Sequence, residues 1–218
     1  MQQKVFQLFA RDSGQMNALG TALRGSQSAV VFCHPTVAEE GLVQQLREVS
    51  DCQFCEIIET GTAKNGILEG RAVVILGSKE YAAEILSRMP GLGWPSFVLL
   101  SDDSLDSAAV SAQVRRLGLP VRVAALHRPK GARLLLGFDT VSIETEAKRL
   151  MGRSPGPYFL TSWVAVHLAL LAVEAGYRGP DEILGFLQKR VWQTAFGPVR
   201  FEDCGRAEGF NWQLRDIT

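Results

Sequence analysis

A chain of 218 residues, 46% hydrophobic and 21% charged, has the composition of a folded globular protein with enough length for one large core or two small ones, which excludes a disordered chain. Its 23 Lys+Arg balance 23 Asp+Glu, so no net field draws in nucleic acid or an anionic membrane surface. The longest apolar stretch, Trp163 to Ala175, is too short to cross a bilayer and carries His167 and Glu174, so it reads as a buried helix and no membrane insertion is expected.

The opening residues include Lys4, Arg11, Asp12 and Arg24 without an uninterrupted apolar block, so no signal peptide is visible. Either the chain stays in the cytoplasm or it begins after a removed signal. Four cysteines are too few for a disulfide scaffold of this size. Cys52 and Cys55 have the spacing of a metal knuckle, but no second such pair completes a tetrahedral site. Buried thiols are expected, with no metal and no cofactor.

Short apolar runs then alternate with amphipathic ones, the pattern of a parallel sheet with crossover helices. Ala29 to Cys33 reads as a strand and Val37 to Val49 as a helix with Leu42, Val43 and Leu46 on one face. Phe54 to Ile58 and Ala72 to Leu76 are further strands. A helix with Tyr81, Ile85, Leu86 and Met89 inward follows, and Pro90 is expected to stop it. Phe97 to Leu100 and Val121 to Leu126 flank a helix through Val110, Val114 and Leu117. The array has neither Gly-x-Gly-x-x-Gly nor a Walker loop, so the phosphate cradle of a nucleotide-binding domain is missing.

Beyond residue 127 the character changes: a helix near Ser142 to Met151, a break at Ser154-Pro155-Gly156-Pro157, the helix Trp163 to Ala175 capped by Thr161 or Ser162, and a helix after Pro180. The tail is expected to be a β-hairpin, Gly197 to Glu202 turning at Asp203-Cys204-Gly205 into Phe210 to Leu214. Trp163, Trp192 and Trp212 read as core of this second part, and His127 beside Arg128 marks the crossover.

Ser154-Pro155-Gly156-Pro157-Tyr158, the helix end Val173-Glu174-Ala175-Gly176 and the run Phe196-Gly197-Pro198-Val199-Arg200-Phe201-Glu202-Asp203-Cys204-Gly205 resemble the end of type I periplasmic binding proteins, the leucine/isoleucine/valine branch above all. Val5-Phe6-Gln7-Leu8 with Asp12-Ser13-Gly14-Gln15 resembles the strand and helix by which that family begins its second lobe. The resemblance implies an α/β fold, a three-layer parallel-sheet lobe plus an incomplete second lobe ending in a β-hairpin, and it covers nearly the whole chain. The expected division is an opening strand and helix in residues 1–24, a complete lobe in 25–126, and crossover with the remainder of the other lobe in 127–218. Most of the first lobe's sheet, which in the family grips the ligand carboxylate, has no counterpart.

The implied function is non-catalytic binding of an amino acid or amide, as in the substrate-binding proteins of ABC importers, with an importer permease as partner and the periplasm as location if a signal was removed. The alternative is an interaction or regulatory module that keeps the fold without a ligand. Ligand groups are expected in loops at the carboxyl ends of strands: His34 and Thr36, Gly77 and Ser78, Asp102 and Asp103. Asp103 best matches the acid that pairs with a ligand ammonium in the family, with Asp102 as the neighbour that could substitute; the competing reading makes both aspartates caps of the next helix. Without a nucleophile elbow or an oriented base, catalysis is not expected. The apolar circumference of the helix Trp163 to Ala175 and the open edge of Phe210 to Leu214 lead to the expectation that residues 160–218 self-associate or take a partner chain.

Overall fold

The structure, a computed structural model, describes residue 8 and residues 12–35, 41–52, 55–58, 63–129, 139–152, 155 and 158–218. The chain forms two compact units, one from residues 11–125 and 212–218, the other from residues 1–10 and 126–211.

The larger unit is built on a six-stranded sheet. Its strands are β1 (Ala29–Cys33), β2 (Cys55–Ile58), β3 (Ala72–Leu76), β4 (Phe97–Leu100), β5 (Val121–Leu126) and β9 (Trp212–Asp216), in the order β2-β1-β3-β4-β5-β9. β1 to β5 run parallel, with Val30 beside both Glu56 and Val73, and Val98 beside Val121. Alternate side chains go to opposite faces of a strand, and both faces are covered. Val30, Phe32, Val73, Ile75, Val98 and Leu100 meet α3 (Lys79–Leu92) and α4 (Ala108–Leu117) on one side. Ala29, Val31, Val74, Leu76 and Leu99 meet α1 (Asp12–Leu23) and α2 (Leu42–Ser50) on the other. This explains why β1 and β3 are apolar at every position: a strand buried on both faces has no solvent side to encode.

Local chemistry sets the helix ends. Ser78 and Ser107 cap α3 and α4, their hydroxyls accepting from the N–H of Tyr81 and Val110. Pro90, expected to stop α3, lies inside its last turn. It forfeits one backbone bond, and the helix runs on to Leu92, where the Gly93 N–H bonds the Met89 carbonyl.

The smaller unit holds α5 (Thr140–Met151), α6 (Phe159–Glu174), α7 (Pro180–Gln188) and an antiparallel sheet of β6 (Trp192–Thr194), β7 (Gly197–Phe201) and β8 (Ala207–Glu208). Asp139 caps α5 by accepting from the Ser142 N–H, and Glu182 reaches back to the N–H of Arg178 and Gly179 at the start of α7. The core gathers Leu8, Ile143, Leu160, Val164, Leu168, Leu187, Val199 and Phe201 around the fully buried Trp192, whose indole N–H donates to the Leu187 carbonyl at 2.7 Å. α6 begins at Phe159, before the caps expected at Thr161 or Ser162. The Thr161 hydroxyl instead donates to the Tyr158 carbonyl at 2.8 Å inside the first turn.

The tail corrects the sequence reading. The hairpin turns at Asp203–Gly205 as expected, but its return strand is the two-residue β8. Of the run expected to complete it, residues 212–214 instead belong to β9, at the edge of the larger sheet. The Ile217 N–H bonds the Val121 carbonyl and the His127 N–H bonds the Asn211 carbonyl, so β9 runs antiparallel to β5. Gly209, at φ +105°, makes the departure: a Cβ there would lie 2.2 Å from the Pro198 carbonyl oxygen. Trp212 and Leu214 then pack against the core on the α1 and α2 face, so Trp212 is core of the larger unit, not of the smaller one.

Candidate functional site

The order of the larger sheet reverses between β1 and β3, since β2 lies outward of β1 while β3, β4 and β5 continue the other way. In an open parallel sheet the loops leaving the carboxyl ends of two strands diverge at that point, and the crevice between them is where ligands bind. The residues leaving β1, β3 and β4 are His34, Gly77 with Ser78, and Ser101 with Asp102 and Asp103.

These loops are tied together by short polar contacts. The Ser101 hydroxyl donates to the Gly77 carbonyl at 2.9 Å and accepts from the Gly77 N–H at 3.3 Å, joining the ends of β3 and β4. The His34 N–H donates to the Leu76 carbonyl, and its ring stands edge-on to Tyr81 with centroids 5.3 Å apart. Gly77 lies between these rings: a Cβ would come within 2.8 Å of Tyr81 Cδ1 and 3.1 Å of His34 Cβ. Ser78 stands at the mouth of this loop, exposed, with its hydroxyl accepting from the Tyr81 N–H. Thr36 lies outside the described residues.

The two aspartates open a single 3-10 turn, Asp102–Ser104, after β4. They do not cap α4, which Ser107 caps, and this removes the capping reading. Both are partly buried, and Asp102 accepts a hydrogen bond from the side-chain amide of Gln15 at 2.6 Å. Burial pushes the Asp102 carboxyl above the usual aspartate range; the Gln15 amide pulls it back in part, and the charges of Asp103 and Asp12 push it further up. Gln15 is the contributor that sequence reasoning missed. Its signal was a polar residue beside Met16 and Leu19 on the buried stripe of α1.

A Ser–His–Asp relay has no support in these contacts, because the Ser101 hydroxyl donates to a backbone carbonyl and Asp102 accepts from an amide. The arrangement is chemically a polar cluster: hydroxyls, one imidazole and two carboxylates at the carboxyl end of a buried sheet.

A doubly wound lobe, joined to a smaller helical unit bearing an antiparallel hairpin, has the fold of the type I periplasmic binding proteins. Solved structures similar to the chain include the branched-chain amino acid transporter substrate-binding protein LivJ from Streptococcus pneumoniae in complex with isoleucine, at 13% identity and a TM-score of 0.66, covering 94% of this chain and 66% of that one. An ABC transporter substrate-binding protein from Desulfitobacterium hafniense in complex with leucine matches at 15% identity and a TM-score of 0.71, covering 98% and 65%. The leucine-binding protein LivK from Thermotoga maritima matches at 16% and 0.64, covering 95% and 66%. The chain thus spans about two thirds of the length of these proteins. No family model and no curated protein sequence matches it.

Proposed function

We propose that the chain binds a small polar ligand, an amino acid or amide, in the crevice at the carboxyl ends of β1, β3 and β4, and performs no chemistry on it. The observation that carries this reading is that His34 and Gly77 stand at the reversal of strand order, with Ser101 bonded to Gly77 and the aspartate pair following at the end of the neighbouring β4, in a fold whose similar structures hold leucine or isoleucine. Asp103 is assigned the ligand ammonium, with Asp102 behind it; a charge-assisted hydrogen bond there contributes roughly 1.5–3 kcal/mol. His34, Thr36, Gly77 and Ser78 offer the remaining polar contacts. In this reading the chain serves the permease of an ABC importer, and residues 160–218 form an association surface for a second polypeptide.

A second reading, a module that keeps the fold without a ligand, is favoured by one contact: Gln15 already occupies an oxygen of Asp102. A thermal-shift screen across amino acids, amides and short organic acids separates the two. The binding reading expects at least one stabilising ligand, with the shift abolished in Asp103→Ala. A flat screen overturns it and leaves the module.

A further inference from the structure

Gln15 lies on the buried stripe of α1, where Met16, Leu19 and Leu23 enter the core and Gln15 itself is only 4% exposed. An amide on such a face costs free energy unless its polar atoms find partners, and an apolar residue would fill the space without that demand. Two close approaches fix where α1 stands. A Cβ at Gly14 would lie 2.6 Å from Cδ1 of Trp212 on β9, and one at Gly20 would lie 3.0 Å from Cβ of Val49 on α2. Held at both points, the helix brings the Gln15 side-chain amide to donate to Oδ1 of Asp102 at 2.6 Å.

Asp102 opens the 3-10 turn that carries Asp103. Before the turn, the Ser101 hydroxyl joins the chain to the Gly77 backbone; at its first residue, Gln15 joins it to α1. Ser104, its last residue, adds no side-chain tie: its hydroxyl is buried with no hydrogen-bond partner among the described residues. Resting on the reading of Asp103 as the ligand acid, we propose that Gln15 is a positioning residue of that site: by holding Asp102 it sets the turn so that the Asp103 carboxylate meets the ligand ammonium. A neutral amide suits this role. It satisfies an oxygen of Asp102 without neutralising it, whereas a lysine or arginine in its place would set a positive charge beside the group that receives a cation. Gln15 touches no ligand and acts through Asp102.

Calorimetric titration of leucine into folded wild type, Gln15→Met, Asp102→Ala and the double variant tests this, with the other amino acids following where leucine is silent. Gln15→Met should weaken binding about tenfold, the scale of one lost hydrogen bond to a charged group. In the Asp102→Ala background the same substitution should leave the affinity where Asp102→Ala has set it. Gln15→Asn, whose amide stops one methylene short, should weaken binding likewise and takes the place of Gln15→Met if that variant does not fold. The Asp103 carboxyl carbon resonance of the ligand-free chain should also move in Gln15→Met, a change that lost stability alone does not produce. A Gln15→Met chain that is less stable yet binds as tightly as wild type makes the contact purely structural and overturns the positioning role, as does an equal loss of affinity with and without Asp102. Binding that Asp103→Ala leaves unchanged, for instance in the apolar groove of about 610 Å3 between α5 and α6, overturns the assigned site as well, and a chain that binds no amino acid overturns both.

Discussion

Gln15, on the first helix, donates its side-chain amide to the carboxylate of Asp102, 87 residues later and just past β4, at 2.6 Å. The contact ties α1 to the loop that carries the proposed ligand acid. Removing a donor from a partly buried carboxylate leaves more of its desolvation uncompensated, so Gln15→Met should cost roughly 1–3 kcal/mol of unfolding free energy. Chemical denaturation checks the loss. Asp102→Asn, which keeps an oxygen to accept from Gln15, should cost less, and an equal or greater loss would place the value of the contact elsewhere.

Burial gives the same carboxyl a pH signature. Asp102 titrates above its ordinary value in the folded chain, so between the two values the folded state binds more protons than the unfolded one. Its contribution to stability is complete below the unfolded value, about 3.9, and is lost as the pH rises through the folded value. Asp139, Glu146 and Glu182 shift downward and act in the opposite sense, so the readout is the difference between wild type and Asp102→Asn. The difference between variant and wild type should move in favour of the variant as pH rises through this window and stay constant above it. A difference independent of pH would contradict the assignment.

Gly77 is a close-packing site. Gly77→Ala places a methyl 2.8 Å from the Tyr81 ring and 3.1 Å from His34 Cβ, so one of those side chains has to move. Overpacking of this kind costs about 1–3 kcal/mol. The same substitution should weaken ligand binding by displacing His34, which titration calorimetry on the folded variant checks.

The thiols should react in a fixed order. Cys204 is exposed, Cys52 is half-buried, and Cys33 is buried at the end of β1 with its Sγ 3.5 Å from the His34 carbonyl. Burial pushes the Cys52 thiol up, which lowers the fraction present as reactive thiolate. Of these three thiols, a reagent should label Cys204 first, Cys52 more slowly and Cys33 only on unfolding, as mass spectrometry of timed digests would read.

The parallel sheet was legible because each strand announces itself: Ala29 to Cys33 and Ala72 to Leu76 are apolar throughout, and the intervening helices show their inner faces at Leu42, Leu46, Ile85 and Val114. What sequence could not supply were partners. The alternation of residues 210–214 signals a strand, but a strand's pattern does not name its neighbour, and the short β8 with Gly209 sends it to β5 instead of β7. Of the candidate site, the loops were legible from the ends of strands. The Gln15 contact was not, because a lone glutamine on a helix gives no sign of an acceptor 87 residues away.

The central claim, ligand binding at the reversal of strand order, is tested most directly by following backbone amide resonances while leucine is titrated into the folded chain. The account expects saturable shifts concentrated at His34, Gly77, Ser78, Ser101 and Asp103, and their loss in Asp103→Ala. Unmoved resonances at millimolar leucine and other amino acids, or shifts confined to the groove between α5 and α6, would contradict it.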